Sequence, residues 1–120
     1  MAKIATLDLR GSSDKKYTFD VYSYPSKFEK FSCVYCISKR ELNKDNKFVH
    51  DIFYIARTED ISSILTKQPE EECFSKHNAN CISIYKPESE REMAEIEEDL
   101  KNHYKPVCNN QSNELFMSPN

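Results

Sequence analysis

Two hydrophobic periods divide the chain. Residues 4–9 alternate apolar and polar side chains, Arg10-Gly11-Ser12-Ser13-Asp14 is turn chemistry, and 17–24 alternates again with aromatic and β-branched residues. Alternation puts every second side chain on one face of a sheet, so this stretch predicts a β-hairpin. Tyr24-Pro25-Ser26 ends its second strand, because proline cannot donate to a strand ladder. After a short connection at 27–30, the runs 31–38 (FSCVYCIS) and 49–56 (VHDIFYIA) are apolar and of strand length. Between them 39–47, with Asn43-Lys44-Asp45-Asn46, predicts a charged loop closing a wide hairpin.

Beyond the second of these strands the period becomes helical. Ile61, Ile64 and Leu65 recur at helix spacing, so 58–67 predicts a short helix with Thr58 as N-cap and Glu59 and Asp60 at its positive end. Pro69 stops it, 70–77 predicts another turn or two of helix, and Asn78-Ala79-Asn80 is turn-like. Cys81–Tyr85 reads as a last short strand. The segment 88–104 is the longest predicted helix, opened by Pro87 and the Glu88-Ser89-Glu90 turn and ended by Pro106. At about 100° per residue, Met93, Ile96, Leu100 and Tyr104 form one stripe, and Glu97 falls inside it, about 40° from Met93. A carboxylate on a packed face is costly without a partner, which makes Glu97 a candidate ligand or a hydrogen-bonded core acid. The polar run 110–120 predicts a loosely held tail.

Composition narrows the function classes. A length of 120 residues suits one domain, here 1–109, made of an N-terminal hairpin extension (1–30) and a core (31–109), followed by the tail. The formal charge of -3 argues against a general electrostatic grip on nucleic acid, although a local basic patch is compatible with it. The opening residues are too few and too polar for a signal peptide, and no apolar run reaches the length of a membrane span. A soluble cytoplasmic protein is the expectation. Cys33, Cys36, Cys73, Cys81 and Cys108 are odd in number and not densely spaced, which favours reduced thiols over a disulfide framework. Gly11 is the one glycine in the chain, so a motif that needs glycine elsewhere cannot be intact.

Several of these pieces stand in a known order. Val34-Tyr35 on one strand, Tyr54-Ile55 on the next, Thr58, Asp60 and Ile61 directly after it, and Glu97, Leu100, Tyr104, Pro106 and Asn109 at the end resemble the GIY-YIG nuclease family over about 31–109. That family carries Gly-Ile/Val-Tyr on its first strand, Tyr-Ile/Val-Gly on its second and an arginine on the following helix. A glutamate then lies nine residues before a proline, with an asparagine three residues after the proline, the spacing of Glu97, Pro106 and Asn109. The resemblance implies a small, mainly antiparallel α+β fold flanked by helices, here with the hairpin added. It further implies a divalent ion, Mg²⁺ or Mn²⁺, at Glu97, and tyrosines that orient or deprotonate a water.

The departures bear on activity. Cys33 and Ala56 stand where the family has glycine, and Ile64 stands at the arginine position counted from Tyr54. The arginine is thought to hold the scissile phosphate, a charge-stabilising task an isoleucine cannot perform. Arg57, next to Ala56, is the nearest stand-in. Read without the family, Tyr35 and Tyr54 are equally strand tyrosines filling a core, Arg57 a surface residue, and Asn109 a turn residue bonded to backbone.

Other metal or nucleophile sets are poorer. Cys33-x2-Cys36 with Cys73-x3-His77 has zinc-ligand types, yet two cysteines three apart in a strand face opposite sides, so zinc is not expected there. A cysteine nucleophile served by His50, His77 or His103 has no supporting pattern. The favoured expectation is a divergent GIY-YIG-like domain without nuclease activity that serves as a binding or regulatory module. Two alternatives stay open: a metal-dependent DNA or RNA endonuclease using Tyr35, Tyr54, Glu97 and Asn109 with Arg57 as relocated cation, and a protein-interaction domain of similar architecture only. The expected partner is accordingly a nucleic acid or another protein, with no membrane.

Overall fold

A computed structural model describes residues 3–65 and 71–109. The expected tail at 110–120, and residues 66 and 67 of the first expected helix, lie outside them. Five strands form one sheet in the order β1-β2-β5-β3-β4: β1 Ala5–Arg10, β2 Lys16–Ser23, β3 Cys33–Leu42, β4 Phe48–Thr58 and β5 Cys81–Tyr85. Every pairing is antiparallel. The N-terminal hairpin joins this sheet through β5, which pairs with β2 on one side and β3 on the other. With helices on its faces, the chain has the expected small α+β fold.

Two expectations change. The β3–β4 hairpin is longer than the apolar runs, since Lys39 to Leu42 pair in register with Asp51 to Phe48. The loop expected at 39–47 therefore shrinks to 43–47, where Asn43 Oδ1 accepts from the amides of Asp45 (2.8 Å) and Lys47 (3.1 Å). β5 does not reach this outer ribbon, whose residues 39–41 are charged and make contacts within the ribbon, with Lys39 3.6 Å from Glu41 and Arg40 3.6 Å above the Phe48 ring. Polar strand residues of this kind carry no apolar run to announce them. The helix expected at 58–67 is a 3₁₀ turn, Ile61–Leu65, and Thr58 belongs to β4. Asp60, not Thr58, caps the turn, its Oδ1 accepting from the Ser62 amide at 2.9 Å. Ile61 N–H also donates to Phe31 O at 2.9 Å, which ties the turn to the segment just before β3.

Two helices follow. α1, Glu71–Lys76, is the expected extra turn or two, and α2, Glu90–Tyr104, is the long helix. Ser89 caps α2 by accepting from Glu92 N–H at 3.1 Å, while Glu92 Oε1 reaches back to Glu88 N–H at 3.0 Å. Lys105, in left-handed backbone with φ 48°, ends it.

The sheet separates two cores. On one face Leu9, Phe19, Val34, Cys36 and Ile55 meet Met93, Ile96 and Leu100 of α2. On the other, Cys33, Tyr35, Ile37, Phe53, Ala56, Ile82 and Ile84 meet Ile61 and Ile64 of the 3₁₀ turn, Cys73 and Phe74 of α1, and Cys108. β3 is thus covered on both sides, and Cys33 to Ser38 are all buried. That explains a continuous apolar run where a half-exposed strand would alternate.

Asp99 of α2 ties the helix to the β1–β2 turn. Its carboxylate accepts from Ser12 Oγ at 3.0 Å, Ser13 N–H at 2.8 Å, Ser13 Oγ at 2.6 Å and Tyr17 Oη at 2.8 Å. Burial alone would raise the Asp99 pKa, but these donors outweigh it and hold the carboxyl at about 2. Burial and the same hydrogen bond push the Tyr17 phenol up to about 12. The position of the single glycine follows, because a Cβ on Gly11 would lie 2.1 Å from Asp99 Oδ2. Gly11→Ala and Asp99→Ala are each expected to cost about 1–3 kcal/mol in chemical denaturation. Asp99 titrates lower folded than unfolded, so its stabilisation is full above about pH 5 and lost as pH falls through 4 toward 2. Asp99→Ala should flatten that acid limb of the stability curve.

Candidate functional site

The residues singled out in sequence do not gather in one pocket. Tyr35 pairs across the sheet with Ala56, and Ile37 with Tyr54. The register then shifts by one, so that Phe53 is an extra residue in β4 and, like Tyr54, reaches the α1 face. Tyr35 is 4% exposed, with ring centroids 6.1 Å from Tyr54, and Tyr54 stands 5.2 Å from Phe74 of α1. Ile64 and Cys33 are buried in the same core. Where the resemblance asks for a small glycine, an arginine and open tyrosines, this face holds packed side chains.

Arg57 and Glu97 lie on the opposite face. Arg57 is the register partner of Val34, whose side chain packs in the α2 core. Its Nε stands 3.3 Å from Glu97 Oε1, and Lys101 Nζ stands 3.8 Å from Glu97 Oε2. The Glu97 side chain is 19% exposed, so the acid inside the helix stripe has the partners its position demands. Both carboxylate oxygens face cations, and a metal ion there would have to displace them. Arg57 also borders a shallow depression of about 320 Å³ with Thr58, Glu59, Glu90 and Met93. Two glutamates in that lining oppose the binding of a phosphate.

Asn109 has a third location, at the outer edge of β4. Its Oδ1 accepts from Ile55 N–H and its Nδ2 donates to Ile55 C=O, each at 2.9 Å. The side-chain amide replaces the neighbouring strand that an edge lacks. Asn80, expected from sequence only as a turn residue, does the same for Arg40, accepting from its N–H at 2.7 Å and donating to its C=O at 3.0 Å.

The cysteines divide differently from expectation. Cys73 and Cys108 form a disulfide, 35 residues apart in sequence, which corrects the expectation of reduced thiols throughout. It forms because α1 and the helical turn at 107–109 pack on the same core, a proximity no local spacing announces. Cys33, Cys36 and Cys81 are free and buried. Cys33 and Cys36 belong to opposite cores and cannot share an ion. Burial pushes both thiols up to about 12 and raises Cys81 as well, so none presents the thiolate a nucleophile needs. Of the histidines, His50 Nδ1 meets the buried Ser38 hydroxyl at 2.9 Å, and burial, then Arg40, lowers its pKa. His77 stacks on Phe53 with centroids 4.9 Å apart, and His103 packs on Tyr104.

Asn109→Ala should cost about 1–3 kcal/mol in urea unfolding, because it leaves a strand N–H and C=O without their partner. Asn109→Asp should not restore the loss, since a carboxylate cannot donate to Ile55 C=O. In the folded, non-reduced protein at neutral pH, mass spectrometry after iodoacetamide should find Cys33, Cys36 and Cys81 unmodified, and all three alkylated in denaturant. No known family model matches this chain, and comparison with curated proteins and with solved structures returns no match.

Proposed function

We propose that this chain is a divergent GIY-YIG-like domain that performs no nuclease chemistry and acts as a binding or regulatory module. One observation carries the reading: the sheet stands between the tyrosines Tyr35 and Tyr54 and the pair Arg57–Glu97, so no single water could be oriented by the first and activated by an ion on the second. Three further facts support it. Ile64 fills a core where a phosphate-binding arginine would be needed, Asn109 spends its amide on the Ile55 backbone, and Glu97 is engaged by two cations.

A protein partner suits the surface better than a nucleic acid. Leu42 and its cross-strand partner Phe48 are exposed on one face at the outer end of the β3–β4 ribbon and Val49 on the other, while the charges there are of both signs. A salt-dependent grip on phosphates needs an excess of Lys and Arg, and the chain carries -3. Among the described residues no helix is long and apolar enough to cross a membrane. A cytoplasmic location belongs to the same reading; the three free thiols held in the core agree with it, and the Cys73–Cys108 disulfide points the other way, to an oxidising compartment.

The second reading, a metal-dependent endonuclease, is favoured by the proximity of Arg57 to Glu97, since a relocated cation beside the metal-binding acid is what it requires. Titration calorimetry with Mg²⁺ and Mn²⁺, run beside plasmid and single-strand cleavage assays, separates the two. Our reading expects no Glu97-dependent heat and no cleavage, and a loss of about 1 kcal/mol of stability in Glu97→Ala from the broken ion pairs. Metal-dependent cleavage abolished by Glu97→Ala, with stability unchanged, would establish the nuclease instead.

A further inference from the structure

The Cys73–Cys108 bond has a third residue beside it. Cys73 lies on α1, and His77 N–H donates to Cys73 C=O at 3.2 Å, continuing the helical turn so that the two side chains, four residues apart, share one side. Cys108 is delivered by the turn that follows Pro106, across the same core. One sulfur of each cysteine and one ring nitrogen of His77 all lie within 4.8 Å of one another. The His77 ring is held by its stack on Phe53. Cys73 and Cys108 are buried and His77 is half-buried.

We propose that, once the Cys73–Cys108 bond is reduced, Cys73, His77 and Cys108 bind one zinc ion, making disulfide and metal site alternative states of one cluster. Zn–S bonds near 2.3 Å and Zn–N bonds near 2.0 Å put two ligand atoms of one tetrahedral ion roughly 3.3–3.8 Å apart. Once the bond is opened, the sulfurs have to separate by about 1.7 Å and the ring nitrogen, within 4.8 Å, has to close in by up to about 1.3 Å, movements within reach of side-chain rotation. Two thiolates and an imidazole select a thiophilic ion over Mg²⁺ or Ca²⁺. Three protein ligands leave a fourth position for water or a small ligand. The set differs from Cys33-x2-Cys36, whose members the sheet separates.

The exchange balances. A dithiol reductant supplies two electrons and two protons, becomes a disulfide itself, and opens the bond to two thiols, which release their protons when zinc binds. In the reverse direction a small-molecule disulfide such as oxidised glutathione accepts the two electrons. The Cys73–Cys108 bond forms, two protons from solvent complete two small thiols, and Zn²⁺ leaves with its charge of +2.

The test uses the full chain, reduced under argon and freed of reductant, titrated with Co²⁺ as a spectroscopic substitute and then competed with Zn²⁺. The proposal expects one ion per chain, a thiolate-to-cobalt charge-transfer band and the intense visible bands of tetrahedral Co²⁺, with no binding to the oxidised chain. His77→Ala should weaken binding tenfold or more and change the visible bands, and Cys108→Ser should halve the charge-transfer intensity. Oxidised glutathione should release the ion as two protein thiols per chain are lost, read on the protein by mass after alkylation, and two glutathione thiols appear. Far-UV circular dichroism follows folding in each sample, and should Cys108→Ser not fold, His77→Ala, at a half-buried position, decides alone. A reduced chain that takes up no ion, folded or unfolded, or one whose binding is unchanged in His77→Ala, would overturn the proposal and leave the disulfide a purely structural bond.

Discussion

Side-chain alternation along β3 is the constraint from which the rest of the arrangement follows. Cys33, Tyr35 and Ile37 point to one core and Val34 and Cys36 to the other, and both cores are closed. A slip of one residue would exchange every side chain between faces lined by different partners, so the register is fixed by packing on both sides at once. Each fully buried Ile or Val on this strand contributes about 1.5–3 kcal/mol, and a slipped register would have to re-pack all of them together. β4 inherits the same order through its pairing with β3, which is why Arg57 shares a face with Val34 and Ala56 with Tyr35. The distribution of chemistry over the molecule is therefore settled by the pleat before any question of reactivity arises.

Polar side chains then complete what backbone pairing leaves open. Asn109 and Asn80 each offer an amide to a strand residue, satisfying one N–H and one C=O where a further strand would otherwise lie. Asp99 collects donors from three residues of the N-terminal hairpin and fixes α2 against it, and Gly11 is the residue that makes room. Glu97 is neutralised by a cation from the sheet and another from its own helix. Of these four acid or amide residues, Glu97 and Asn109 have the look of reactive residues when read alone. Their partners show each one in use by the fold.

Much of that fold was legible. Alternation marked the first hairpin, the apolar runs marked β3 and β4, Cys81–Tyr85 was placed to the residue, and the stripe on α2 named its buried residues Met93, Ile96 and Leu100. What escaped depended on distant neighbours. The ribbon residues 39–41 are charged where β5 does not cover them, and nothing local distinguishes such a strand from a loop. Thr58 has cap chemistry, but the β4 ladder reaches it first and Asp60 takes the role. Disulfide pairing across 35 residues needed the docking of α1 beside the helical turn at 107–109, and the importance of Asp99 needed the turn that meets it. The candidate residues Tyr35, Tyr54, Arg57, Glu97 and Asn109 were each given partners by the structure, and the one relation sequence could not supply was which side of the sheet each occupies.

That relation is open to a direct energetic measurement. Double-mutant cycles in urea, pairing Glu97→Gln once with Arg57→Gln and once with Tyr35→Phe, measure which side chain Glu97 senses. Contact across the α2 face predicts a coupling of about 0.5–1 kcal/mol for Arg57 with Glu97, and a Tyr35–Glu97 coupling within about 0.3 kcal/mol of zero. A Tyr35–Glu97 coupling of about 1 kcal/mol or more would put the tyrosine and the carboxylate in one site and contradict the separation on which the account rests.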